Sequence, residues 1–248
     1  MLAASVLGSG AVFLEGSVVN VALPAIAKAF GTGVVGLQWV LNGYLLTLSA
    51  LMLLGGALGD RFHRSRVFAI GCVAFAIACA GCALAPGLKM LVALRVVQGA
   101  AGALLVPNSL AMLDTAFEGE ERGSAIGQWA AWSAVSTAGG PFLGGWLVDA
   151  LSWRWVFAGV IVFSLAAAWI VTAKVIAHEG KQPRAPRGRA ARIDYAGAAL
   201  GTVSLAGVVG ALMSGPVVGF TDARVLAAGI GGFVLLSAFV AYEHGVTR

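Results

Sequence analysis

Glu15 stands inside one long apolar run, and Arg95 and Gln98 stand inside another. Glu15 lies about 11 residues into its run, roughly 16 Å along a helix. An acid at that depth in lipid is costly and marks a functional site by default. Such a carboxyl can alternate between a charged form that holds a cation and a proton-loaded form that releases it. Arg95, Gln98, Gly99 and Gly102 fall at i, i+3, i+4 and i+7, one face of a helix. An intramembrane arginine must pair with an acid, find carbonyls or reach water. Two arrangements meet that need: Arg95 beside Glu15, tuning its proton affinity, or Arg95 satisfied by carbonyls or reaching outward. Asn20 and Gln38 are further polar candidates for substrate contact. Trp129 and Trp132, three apart, offer either a stacking platform for a flat aromatic cation or packing against a neighbouring helix. No nucleophile–base constellation, metal cluster or phosphate loop accompanies these groups. The expected chemistry is therefore vectorial, with no enzyme activity, no metal and no cofactor.

The elements that position these residues follow from composition. The chain has 248 residues, 59% hydrophobic and only 11% charged. A soluble domain carries about a quarter charged residues, so lipid is the expected solvent and partner. Apolar runs of crossing length occur near 4–27, 36–59, 67–86, 88–110, 124–149, 155–177, 194–214 and 223–243. Runs rich in Ala, Leu, Gly and Val read as helices rather than the short alternating strands of a barrel. The opening segment lacks a basic leader and is interrupted by Glu15, so it reads as the first span, not a signal peptide. Cys72, Cys79 and Cys82 share one run; Cys79 and Cys82 have redox-pair spacing without the βαβ setting, and all three are expected to act as small apolar residues.

Charge sets orientation. The excess of 16 Lys+Arg over 11 Asp+Glu gives +5. No basic stripe is interleaved with aromatics, so nucleic acid is not an expected partner. One side holds Arg61, Arg64, Arg66, Arg122, Lys174, Lys181, Arg184, Arg187, Arg189, Arg192 and Arg248; the other holds Lys28, Lys89, Arg154 and Arg224. The positive-inside rule makes the first side cytoplasmic, with both termini on it. The basic, proline-containing stretch 178–193 reads as a cytoplasmic linker between six spans over 1–177 and a helix pair with a short tail over 194–248.

The sequence also repeats itself upside down. GGALGDRFHRSRVFA at 55–69 aligns without a gap on GGWLVDALSWRWVFA at 144–158. Three spans separate the copies, so the second is inverted, an arrangement common in secondary transporters. The inner copy carries Arg61, Arg64 and Arg66; the outer copy carries Trp153 and Trp155, as an interfacial aromatic belt does. A second pair is Glu15-Gly16 with Pro24 against Gln98-Gly99 with Pro107. Polar, Gly- and Pro-interrupted helices at matching positions point to a transport site.

These stretches resemble the major facilitator superfamily. GALGDRFHRSR at 56–66 looks like its loop signature between helices two and three, and LVALRVVQG at 91–99 like its helix-four motif. GPFLGG at 140–145 looks like the helix-five motif associated with antiporters. LEGSVVNVALP at 14–24 and IDYAG at 193–197 resemble helix one and the start of the extra helix pair in the fourteen-span drug:proton antiporters. Three positions depart: His63 stands where glycine is usual, Ser65 where a basic residue is usual, and Glu15 where aspartate is usual. The resemblance implies fourteen spans; the eight here match the N-terminal half plus the inserted pair.

The resemblance implies an all-α integral membrane fold: a six-helix bundle built as a 3+3 inverted repeat, plus two further helices. It implies proton-coupled efflux of small lipophilic or cationic compounds across the plasma membrane, driven by the proton gradient. Glu15, Arg95 and Gln98 would couple proton to substrate. Gly56, Asp60, Arg61, Arg64 and Arg66, with Glu121 and Arg122 on the same side, would form a cytoplasmic gate loop or, alternatively, a solvated one. Gly140, Pro141, Gly144 and Gly145 would seal against proton leak, or simply bend and pack the helix. A homodimer or a separate C-terminal half would complete the transporter. Two alternatives stay open: an inactive fragment or subunit, and a transporter of another small solute.

Overall fold

The computed structural model describes residues 1–176 and 195–246; the proposed linker at 178–193 lies outside the described residues. With no water inside a bilayer, a chain must satisfy its backbone within each segment, and the described residues are helical throughout, apart from short connections. The helices are α1 Leu2–Phe30, α2 Val34–Phe62, α3 Arg64–Leu84, α4 Leu88–Ala116, α5 Gly119–Ala150, α6 Trp155–Ile170, α7 Tyr195–Val218 and α8 Ala223–Val246. A π-helical turn, Val171–Ile176, continues α6.

Seven of these helices are long and apolar enough to cross a membrane. The remaining helix, α5, has 32 residues, and its Ser, Thr, Gln and Gly content lowers its hydropathy. It lies beside α1 and accounts for the span expected at 124–149. Several helices run about a turn past the apolar stretches, because charged ends such as Asp60-Arg61 and Glu120-Glu121 extend beyond the hydrocarbon without interrupting backbone bonding. Pro24, Pro107 and Pro141 all lie within helices that continue through them. α1 stops at Gly31, which takes the left-handed conformation at φ 60° and satisfies a terminal carbonyl.

The packing obeys the inverted repeat. α2 lies against α4, and its counterpart α5 lies against α1; α3 lies against α4, and its counterpart α6 lies against α1. Within the first pair, Gly55 meets the Ala103 carbonyl, and within the second, Gly144 meets the Val18 backbone. These are equivalent positions of the two copies. The neighbouring pair behaves differently: Gly56 has only ordinary contact with Pro107, and Gly145 faces open space. Of these neighbouring glycines only the first in each copy serves close approach, so Gly145 does not pack the helix as expected.

The core joins Val12, Val19 and Ile26 of α1 to Phe68 and Phe75 of α3, Leu91 and Leu105 of α4, and Phe157 of α6. The outer surface is apolar too. Ile70, Ile77 and Leu84 form an exposed stripe along α3, as lipid contact requires and water would not tolerate. α7 and α8 pack on each other through Gly207 and Gly232, and α7 leans on α2.

Candidate functional site

The interior of the six-helix bundle holds a polar network. Glu15 of α1, Arg95 and Gln98 of α4 and Tyr44 of α2 are all essentially inaccessible. Arg95 Nη1 pairs with Glu15 Oε1. The same nitrogen donates to Gln98 Oε1 at 2.7 Å, while Arg95 Nε donates to the Val40 carbonyl at 2.9 Å. Arg95 thus lies beside the acid and also takes a carbonyl. The guanidinium lies over the Tyr44 ring, 4.2 Å from its centroid, a cation–π contact. The Tyr44 hydroxyl donates to the Val12 carbonyl at 3.0 Å.

α4 packs closely here because Gly99 meets the Tyr44 carbonyl of α2 and Gly102 nestles among Val12 of α1, Leu48 of α2 and Phe75 of α3. The network is not saturated. Glu15 Oε2 and Arg95 Nη2 are buried without hydrogen-bond partners among the described residues. Buried charges ordinarily have their remaining atoms satisfied, so Glu15 Oε2 has capacity for a proton, a water or a cation, and Arg95 Nη2 for a water or another acceptor.

The other sequence candidates are distributed differently. Asn20 is exposed, and its amide donates to the Gly16 carbonyl one turn back at 2.8 Å. Gln38 lines a small crevice between α2 and α7 with Trp39, Asn42 and Ser214, away from Glu15. Trp129 turns toward α1, donating to Ser9 Oγ at 2.7 Å and meeting Phe13 edge-on. Trp132 is 55% exposed. The two tryptophans therefore do not form one stacking platform: the indole bond to α1 pulls Trp129 away.

At the α2–α3 junction, Asp60 and Arg64 pair at 2.9 Å, and Arg64 Nη1 donates to the Ala111 carbonyl of α4 at 2.9 Å. Arg61 lies beside the Phe62 ring, and Arg66 is exposed. Arg122 pairs with Asp114 across the α4–α5 junction, while Glu121 is exposed. The acid that meets Arg122 is therefore Asp114, eight residues earlier in the chain. Gly140 meets Ser17, whose hydroxyl donates to the Thr137 carbonyl at 2.7 Å. Pro141 is exposed.

Several residues carry geometry that no motif singled out. Asn108 donates from α4 to the Gly55 carbonyl at 2.9 Å, and its side chain fills the space left by Gly59. Arg154 closes the C-terminal end of α3, donating to the Ala83 and Ala85 carbonyls at 2.7 and 2.9 Å. Cys79 and Cys82 touch the Gln98 amide.

Residues 5–242 match the family described as Major Facilitator Superfamily. The chain belongs to the major facilitator superfamily. It is a multi-pass membrane protein of that superfamily, a family of transporters rather than of catalytic enzymes. It is 35% identical over 93% of its length to a probable actinorhodin transporter of Streptomyces coelicolor, covering 39% of that protein. It is 36% identical over 95% of its length to a methylenomycin A resistance protein of the same species, covering 48% of it. A multidrug resistance protein of Mycobacterium tuberculosis is 34% identical over 91% of this chain, of which 41% is covered. This superfamily member thus spans less than half the length of these relatives. Its fold is like that of a D-xylose–proton symporter, with a TM-score of 0.54 at 15% identity, over 86% of this chain and 68% of that one.

Proposed function

We propose that this chain is the proton-handling half of an exporter of small lipophilic, often cationic compounds. The observation that carries the reading is the buried Glu15–Arg95 pair with one unpartnered atom on each side. Proton uptake by Glu15 removes half of the ion pair. Loss of that proton restores a carboxylate that holds Arg95 or a bound cation. The proton gradient is the energy source, and no cofactor takes part. The membrane is the cell membrane, with the Asp60–Arg64 loop and both chain ends on the cytoplasmic side. The Asp60–Arg64 pair and its bond to Ala111 act as the gate latch. Gly140 and Gly144 seal α5 onto α1.

The substrate class is supported by the relatives, which carry names of antibiotic resistance and export. Substrate enters along α1 and α5, where Asn20 and Trp132 are accessible. Alternating access in such transporters rocks one repeat or bundle against another, so a second copy or a separate C-terminal half supplies the partner.

A second reading is favoured by the 39–48% coverage of the relatives: a subunit that is inactive until joined by that partner. Transport of another small solute is the remaining variant of the first reading. Ethidium efflux from cells expressing these residues, with insertion verified, separates them. The proposal expects efflux that stops when the proton gradient is collapsed. Absence of efflux from well-inserted protein, restored by a co-expressed C-terminal half, supports the subunit reading. Efflux indifferent to the proton gradient contradicts proton coupling.

A further inference from the structure

Cys79 and Cys82 belong to none of the family's motifs, yet their sulfurs complete the buried network. They lie three residues apart on α3, fully buried. Gln98 Nε2 donates to Cys79 Sγ at 3.0 Å, and the Cys82 thiol donates to Gln98 Oε1 at 3.7 Å. Cys72 on the same helix makes a different contact, packing its sulfur beneath Gly8 of α1.

The arrangement matters because an amide has a donor end and an acceptor end. Gln98 Oε1 accepts from Arg95 at 2.7 Å. Turned over, Gln98 would set its NH₂ group against a guanidinium, donor against donor. An acceptor on the far side holds the amide in the useful sense, and Cys79 supplies it. The thiol of Cys82 adds a donor to the oxygen that Arg95 uses.

We propose that Cys79 and Cys82 are positioning residues that fix the sense of the Gln98 amide and so keep an acceptor against Arg95 while Glu15 gains and loses a proton. The consequence for Glu15 rests on the proton-coupling reading above; the contact itself does not. With Glu15 ionised, Arg95 Nη1 is shared between Glu15 and Gln98. With Glu15 neutral, Gln98 becomes the principal side-chain acceptor for that nitrogen. The other titratable or charged groups facing Glu15 are Tyr44 from α2 and Arg95 from α4. α5 carries its charged residues only near its ends, and the only one within α6 and its π-helical turn, Lys174, is near the cytoplasmic end.

The test is infrared spectroscopy of the purified full chain, reading the thiol S–H bands and the Glu15 carboxyl band across pH. Cys72→Ala and Cys82→Ala assign the thiols, and Glu15→Gln assigns the carboxyl. Gln98→Leu is expected to shift the Cys82 S–H band, because that thiol donates to Gln98, and to leave Cys72 unmoved. Cys79→Val is expected to move the pH of half-protonation of Glu15 by at least about three-fold in proton concentration, the scale of one modest hydrogen bond. Cys79→Ser, which keeps an acceptor, is expected to restore it. A Cys82 band indifferent to Gln98→Leu, or an unchanged Glu15 titration in Cys79→Val, overturns the proposal. A carboxyl band that never responds to pH overturns the proton-coupling reading instead, and the Cys82 band then decides the thiol contact on its own.

Discussion

Glu15 and Gln98 occupy equivalent positions in the two inverted copies, and they meet on one nitrogen of Arg95. Each precedes a glycine, and each glycine precedes a proline eight residues on. The repeat has thus placed an acid and its neutral amide counterpart on the same guanidinium from two helices. An acid offers Arg95 a charge that a proton can cancel; an amide offers a neutral acceptor that remains in either case. That asymmetry lets a single buried arginine remain bonded in both protonation states.

Removing one partner should be worse than removing both. Arg95→Ala strands a buried carboxylate and should cost about 3–5 kcal/mol, the range for breaking a buried pair. The double variant Glu15→Gln, Arg95→Gln should recover most of that loss while remaining unable to couple transport to protons. Thermal unfolding in detergent, run beside efflux, checks both halves of the prediction.

The glycines separate packing from chance. An added methyl at Gly55 meets the Ala103 carbonyl and at Gly144 the Val18 backbone, whereas at Gly145 it meets nothing. Gly55→Ala and Gly144→Ala should lower the melting temperature. Gly145→Ala should be neutral or stabilising by about 0.5–1 kcal/mol, as for glycine in a helix interior.

Arg154 gives a stability test far from the site. It closes the α3 carbonyls of Ala83 and Ala85 and stacks on Trp153. Arg154→Ala should cost about 1.5–3 kcal/mol, the value of hydrogen bonds to a charged group. Efflux per folded molecule should be unchanged.

The latch should show the reverse pattern. Asp60 and Arg64 are 64% and 32% exposed, and exposed pairs contribute about 0–1 kcal/mol. Asp60→Asn should leave the melting temperature nearly unchanged but slow efflux several-fold, measured as initial rate at equal expression.

Much of the scaffold was legible in the residues. Apolar run length located the eight helices, and the Glu15–Gln98 and Gly55–Gly144 correspondences located the inverted halves. Helix phase was not legible. In a bilayer both the core and the lipid are apolar, so a helix shows no polar contrast between its faces. That is why Gln38 gives no sign of turning toward α7, or Trp129 of turning toward Ser9, and why nothing in the sequence marks Tyr44 out. Cys79 and Cys82 were read as small apolar residues for the same reason: only the position of the Gln98 amide reveals their polar use. The pairing of Arg122 with Asp114 depends on the turn between α4 and α5, which apolar run length does not specify.

The most direct measurement of the central claim is proton release on substrate binding. Ethidium is added to lightly buffered, purified protein, and the pH is followed together with ethidium fluorescence. The account predicts proton release that tracks binding and disappears in Glu15→Gln. Binding without proton release, or release that persists unchanged in Glu15→Gln, contradicts it.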